Sequence, residues 1–222
     1  MLNHAYRFRH DRCIVEKRSG VGVMDKFGLE IIPYIYDNIV PNSYWSPAYY
    51  RATYNNQEGI LALNGTEIIP CIYDDIDTWL TTDNFMVKSG KLKGLYTPRG
   101  KVIVPCEYTK ISRWRETSLI HVKIDDQEGL YSPEGQEILP CQFIICKELN
   151  GISLINRGGF SKNGKVQNGI WGAINKEGKI IVPCKYNDIT PYAGSERIEA
   201  DEGYIKDIYD FNGNYLRSEY KW

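Results

Sequence analysis

The sequence predicts an all-β protein, a tandem array of about six twisted antiparallel β-hairpin repeats of about 35 residues each. Three observations carry that prediction. Gly22, Gly59, Gly94, Gly129 and Gly172 each stand eleven positions before a proline, Pro33, Pro70, Pro105, Pro140 and Pro183. A second glycine lies five residues before each proline (Gly28, Gly65, Gly100, Gly135, Gly178), and an aromatic three residues after it (Tyr36, Tyr73, Tyr108, Phe143, Tyr186). Turn residues interrupt every apolar run within about ten positions, and no window sustains a helical period of about 3.6. Finally, the 17 Tyr and 5 Trp suit half-buried pleated surfaces.

In chain order the repeats fall at about 13–45, 46–80, 81–115, 116–150, 151–193 and 194–222, within a single domain spanning 1–222. Each unit opens on a short β-rich run, such as Tyr50–Tyr54, Asn84–Lys88 or Leu119–Ile124, which predicts a strand. A polar turn such as Asn55–Glu58 leads to a second strand, Gly59–Leu63. Asn64-Gly65 then signals a hairpin because both residues tolerate positive φ. A third strand, Glu67–Pro70, ends on a residue that cannot donate to a ladder, so the proline marks an edge, a bulge or a strand end. Successive first glycines are 37, 35, 35 and 43 residues apart. The long step holds the polar segment Asn156–Gly169, which reads as an extended, mobile hairpin loop, either a tolerated surface insertion or a carrier of binding residues. The sixth copy keeps the step from Asp207 to Gly213 but has Ser218 in place of the proline, the kind of departure expected of a terminal repeat. Stacked units would share one elongated core. Units shorter than the about 40–45 residues of common propeller blades favour an open superhelix, with a propeller-like closed ring as the alternative.

The copy from Trp171 to Ile189 (Trp171-Gly172, an apolar pair, Asn175, Gly178, an apolar run, Pro183, Tyr186-Asn187-Asp188-Ile189) resembles the unit of the WG-repeat (WG/KWG-type) family of bacterial proteins. The other copies keep the glycine and place Val21, Glu58, Lys93 and Glu128 at the tryptophan position. The resemblance covers about residues 13 to 216 and implies a tandem β-hairpin array. No catalytic residue belongs to the family motif, so it implies no activity.

Composition narrows the function classes. A net charge of −1 gives no global attraction to nucleic acid or anionic membrane, and no stretch approaches the about 20 apolar residues of a membrane helix. The start of the chain has no uninterrupted apolar segment, so the sequence reads as cytoplasmic. Cys71, Cys106, Cys141 and Cys184 all follow the repeat proline, and Cys146 stands where other copies carry isoleucine. They read as small hydrophobes and reduced thiols instead of disulfides or metal ligands. Asp37 and Asp74 share a motif position and read as turn caps, and His121 lies inside a strand. No catalytic or metal-binding constellation and no cofactor motif is present, and the protein reads as a non-enzyme.

The residues the repeat does not dictate are the candidates for binding. Tyr44, Trp45, Tyr49 and Tyr50 form the densest aromatic cluster. Trp79, Trp114 and Tyr192 recur nine residues after a proline, either as wedges between repeats or as a row of rings. Arg7 and Arg9 lie in the most basic patch. The leading expectation is a non-enzymatic protein-interaction module, a scaffold, inhibitor or accessory subunit that binds a protein partner. The alternative is carbohydrate or small-ligand binding through the aromatic row.

Overall fold

The structure is a computed structural model that describes residues 2–5, 11–43, 48–79 and 82–221. It divides into two compact units, Met1–Cys106 and Glu107–Trp222. The first unit holds three four-stranded antiparallel sheets. Sheet I contains β1 (Leu2–Ala5), β2 (Arg12–Lys17), β3 (Gly20–Asp25) and β4 (Glu30–Tyr36). Sheet II contains β5 (Asn38–Pro41), β6 (Tyr49–Tyr54), β7 (Gln57–Ala62) and β8 (Glu67–Tyr73). Sheet III contains β9 (Asp75–Thr78), β10 (Phe85–Ser89), β11 (Leu92–Tyr96) and β12 (Val102–Tyr108), the last of which runs across the unit boundary.

In the second unit, β13 (Lys110–Arg113), β14 (Ile120–Ile124), β15 (Gln127–Tyr131), β16 (Glu137–Leu149) and β17 (Ile152–Arg157) are consecutive neighbours. A separate two-stranded hairpin, β18 (Phe160–Lys162) and β19 (Lys165–Gln167), follows. The main sheet resumes with β20 (Ile170–Ile174) and β21 (Ile180–Tyr186), giving seven strands. The last sheet contains β22 (Asp188–Tyr192), β23 (Arg197–Asp201), β24 (Ile205–Asp210) and β25 (Tyr215–Tyr220). The predicted all-β class is the observed one. Every sheet is an open antiparallel meander, and the only helical turn among the described residues is Ala193–Ser195.

Each regular sheet has one strand more than the sequence pattern suggests. The run after the repeat tyrosine is itself a strand and begins the next sheet. One corner residue separates the two: the Asp37, Asp74, Thr109 and Asn187 amides donate to the carbonyls of Thr53, Lys88, Lys123 and Asp201 at 2.8–2.9 Å. The Asp37 and Asp74 carboxylates also accept from the turn amides of Asn56 and Gly90. In the fourth copy no corner intervenes. There β16 runs for 13 residues, pairing with β15 as far as Phe143 and with β17 from Phe143 onward.

The proline position combines an edge strand with a bulge. Glu58 pairs with Tyr73 and Ile60 with Ile69, so Pro70, Cys71 and Ile72 together oppose Gly59 alone. A Cβ on Gly59 would stand 2.6 Å from Cys71 Sγ and 2.7 Å from the Ile69 carbonyl oxygen. The glycine therefore makes room for the post-proline cysteine, whose thiol reaches 3.6 Å from the Ala52 carbonyl. In the sixth copy Asp207 and Ser218 replace glycine and proline. They pair directly, and this bulge is absent.

The hairpin turns differ from the two-residue form suggested by Asn64-Gly65. The Gly65 amide donates to the Ala62 carbonyl and the Ala62 amide to the Thr66 carbonyl, a three-residue loop in which Gly65, at φ +86°, is left-handed and Asn64 is not. Asn64 instead accepts from the Thr66 amide through its side chain.

The turn also joins one copy to the preceding one. A Cβ on Gly65 would stand 2.4 Å from the Ile31 carbonyl oxygen, on Gly100 2.3 Å from that of Ile68, and on Gly213 2.7 Å from that of Ile181. Each of these isoleucines lies two residues before its repeat proline or, on the second-unit pair, the same offset before Pro183. Side chains fill the space between copies. Val23 and Ile32 of the first pack on Tyr50, Ala52 and Leu61 of the second, and Ile181, Val182 and Tyr186 pack on Ile198, Ala200 and Tyr209.

Candidate functional site

A cleft of about 470 Å³ opens in the second unit where the repeat is interrupted. One wall is the β14–β15 turn, with Lys123, Asp126 and Glu128. A second wall is the β18–β19 hairpin, with the cross-strand neighbours Ser161 and Val166 and, at its tip, Gly164 and Lys165. Ile144, Ile145 and Cys146 of β16 form the floor, and Trp171, the tryptophan of the one complete Trp-Gly copy, completes it.

The inserted hairpin is held at its base by Asn156, which is 1% exposed. Its side-chain NH2 donates to the Asn168 carbonyl at 3.0 Å, and its side-chain oxygen accepts from the Gly159 amide at 3.0 Å. A buried amide with both ends satisfied is an anchor, because leaving either end unpaired costs about 1–3 kcal/mol. Asn163 and Gly164, at φ +52° and +73°, form the two-residue tip between Lys162 and Lys165.

The charged groups of the cleft fall into two classes. Glu128 is engaged: His121 Nε2 lies 2.6 Å from its Oε2, and Lys123 Nζ 3.8 Å from its Oε1. Asp126 and Lys165, on different hairpins, make no ion pair among the described residues. The cleft therefore presents apolar residues, an indole, and one cation and one anion carried by different hairpins. Burial, reinforced by Glu128, pushes the Cys146 thiol up. At neutral pH it is a small apolar lining group and not a nucleophilic thiolate.

Ser112, His121 and Glu128 deserve comparison with a hydrolytic triad. Ser112 Oγ lies 3.3 Å from His121 Nδ1, on the far side of the ring from Glu128. The carboxylate, not the hydroxyl, lines the cleft. The same two register positions, seven residues apart, hold Arg51 and Glu58 at 3.3 Å in the second copy and Glu199 and Lys206 at 2.6 Å in the sixth. They hold Ile14 and Val21 in the first. The third copy has Met86 and Lys93 there, so His121–Glu128 is one version of a cross-strand pair that three copies fill with complementary groups.

Tyr44, Trp45, Arg7 and Arg9 lie outside the described residues. Tyr50 is core, packed with Val23, Ile32 and Leu61, and the Tyr49 ring meets Phe85 edge-on at 5.0 Å. Trp79 and Trp114 are 8% and 6% exposed, and Trp114 packs among Leu130, Leu139, Phe143, Ile155 and Ile174, between the fourth and fifth copies. Buried rings in that position fill space between repeats and offer little area to a ligand. Tyr192 is 41% exposed, with the Arg197 guanidinium 5.3 Å from its ring centre. Among the described candidate rings of the second unit, Trp114 is buried and Tyr192 is exposed.

Sequence reasoning missed Trp171 and the β14–β15 turn. Trp171 had been absorbed as a motif residue. The turn enters only through register, since Asp126 and Val166 are brought to one cleft by a fold that cannot be read from spacing.

The model of a WG containing repeat matches residues 63–88, 94–127 and 171–196. No curated protein matches the chain. Among solved structures it is similar to the AfRom2 CNH domain, at 12% identity and a TM-score of 0.28 over 99% of this chain and 84% of that one. A eukaryotic initiation factor follows at 12% and 0.29, over 96% of this chain and 66% of that one. The Neurospora crassa Pan2 WD40 domain is similar at 9% and 0.27, over 99% and 79%. At such scores the likeness adds nothing to the strand pairing already described. No helix of the described residues is long and apolar enough to cross a membrane.

Proposed function

The chain belongs to the WG-repeat family, and from that premise we propose that it is a non-catalytic protein-interaction module, a scaffold, inhibitor or accessory subunit whose partner is held in the cleft beside Trp171. The observation that carries this reading is the origin of the cleft. Its outer wall is a segment the repeat does not require, yet that segment is anchored by a buried, doubly bonded Asn156. Apolar residues with an indole and charges on different hairpins suit an extended protein segment, in which an apolar side chain anchors and flanking charges orient.

The non-catalytic part of the reading is supported by the periodic role of His121 and Glu128 and by the state of the thiols. Burial, with Glu67, Asp37 and Glu58 nearby, pushes Cys71 up to about 11, and burial pushes Cys184 up to about 11 against the pull of Arg157. Six cysteines placed as packing residues also fit a reducing, cytoplasmic setting.

The test compares three immobilised proteins in an extract of the native host: the wild type, Trp171→Ala, and a chain in which Phe160–Gln167 is replaced by a short turn. The wild type should retain a partner through a salt wash. Both variants, with unchanged circular dichroism and melting temperature, should retain at least tenfold less, the scale of losing one interface anchor of about 1.4 kcal/mol or more. Equal retention by all three would remove the cleft from the function.

A further inference from the structure

In three copies a hairpin glycine sits against the carbonyl of the residue two before the proline position of the copy before it, while Gly178 meets the side chains of Leu130 and Ile138. Gly65 on Ile31, Gly100 on Ile68 and Gly213 on Ile181 are instances of one contact. Both halves of that contact also occur uncovered. Around Gly28 an added Cβ would meet nothing within 4 Å, and the flanking Phe27 and Leu29 are 84% and 68% exposed. The other half is Leu216, which stands in register with Ile31, Ile68 and Ile181 and is 50% exposed, next to Tyr215 at 55%.

The sequence of the uncovered hairpin is the decisive feature. Residues flanking the hairpin glycine are polar in the other copies: Asn64 and Thr66, Arg99 and Lys101, Glu134 and Gln136, Glu177 and Lys179, Asn212 and Asn214. Only the uncovered hairpin carries Phe and Leu. A repeat that faces water needs a polar outer surface there. Elsewhere in sheet I, Tyr34 takes the place of the usual cysteine, lies over Gly22 and shields Cys13 and Val15, with Lys17 Nζ 3.3 Å from its ring centre.

We propose that the β3–β4 hairpin of one chain docks on β25 of a second copy, with Gly28 over the Leu216 carbonyl and Phe27 and Leu29 against Leu216 and Tyr215. The occupant is a second copy because the two exposed surfaces are the two halves of an interface the chain already uses between its own repeats. The contact is heterologous, so it does not terminate at a dimer, and growth follows concentration. It is confined to one hairpin and one strand, which places it among small, weak interfaces.

Sedimentation velocity from micromolar to millimolar chain tests this. The average mass of the wild type should climb past that of a dimer, and Phe27→Glu and Leu216→Asp should each remain monomeric. Mixed one to one, the two variants should form a dimer and stop, since one retains a competent β25 and the other a competent hairpin. Wild type that stays monomeric at every concentration would overturn the proposal without recourse to any variant. Association of either variant alone to the wild-type extent, or no dimer in the mixture of two folded variants, would also overturn it.

Discussion

Asp207 concentrates the difference between the sixth copy and the rest in a single side chain. It takes the place of the bulge glycine, and its carboxylate accepts from Ser218 Oγ at 2.6 Å and from Tyr186 Oη at 2.8 Å, with Lys185 Nζ 3.6 Å away. Burial alone would raise its pKa, but those hydrogen bonds and the lysine outweigh burial and hold the carboxyl below its usual range. A folded-state pKa below the unfolded value contributes stability that is present above about pH 3.9 and is lost as pH falls through the folded value. Asp207→Asn should lose about 1–3 kcal/mol at neutral pH and show a shallower loss of stability below about pH 4, measured by urea unfolding. An acid limb as steep as that of the wild type would show that Asp207 is not one of the groups responsible.

The tyrosines carry a related lesson. Tyr73 and Tyr96, Tyr108 and Tyr131, and Tyr186 and Tyr209 join hydroxyls at 2.6–2.9 Å. Phe143 instead meets the apolar Ile174. In the first copy the tyrosine, Tyr36, is kept although Leu61 stands at the partner position. Both members of each pair stand at fixed motif positions, so this exchange was open to sequence reading.

At the scale of the element, the hairpin glycine is constrained twice, by its left-handed conformation and by the neighbouring copy. Gly100→Ala would incur the strain of φ +81° and drive a Cβ to 2.3 Å from a strand carbonyl that cannot move aside. The expected cost is about 3 kcal/mol or more. Gly28→Ala, at φ +84° with open space around it, should cost only about 1 kcal/mol. Equal losses in chemical denaturation would mean that the copy-to-copy contact contributes nothing. The glycine and proline positions, the edge-and-bulge character of the proline strand and the Asp37 and Asp74 caps were legible because each answers to a local rule of backbone geometry. The first strand of each sheet was not. Asn38–Pro41 and Asp75–Thr78 are four residues long, too short for alternation to show, and they are strands because a one-residue corner hands them to a new partner.

For the molecule as a whole, the repeat accounts for the core, and the proposed function rests on a place where the repeat is interrupted. Trp79 and Trp114 recur because neighbouring copies need filling, and they are buried accordingly. The segment from Asn156 to Gly169 recurs nowhere, and it walls the cleft. Its hairpin character was legible from its Asn and Gly content. Its position over Glu128 and Ile144 was not, because that depends on how a 13-residue strand is shared between two partners. Hydrogen–deuterium exchange on the full chain, alone and with its captured partner, tests the central claim most directly. Partner binding should slow exchange in Phe160–Gln167 and in the β14–β15 turn while leaving sheet II unchanged. Protection confined to other strands, with the inserted hairpin exchanging as fast as in the free chain, would contradict it.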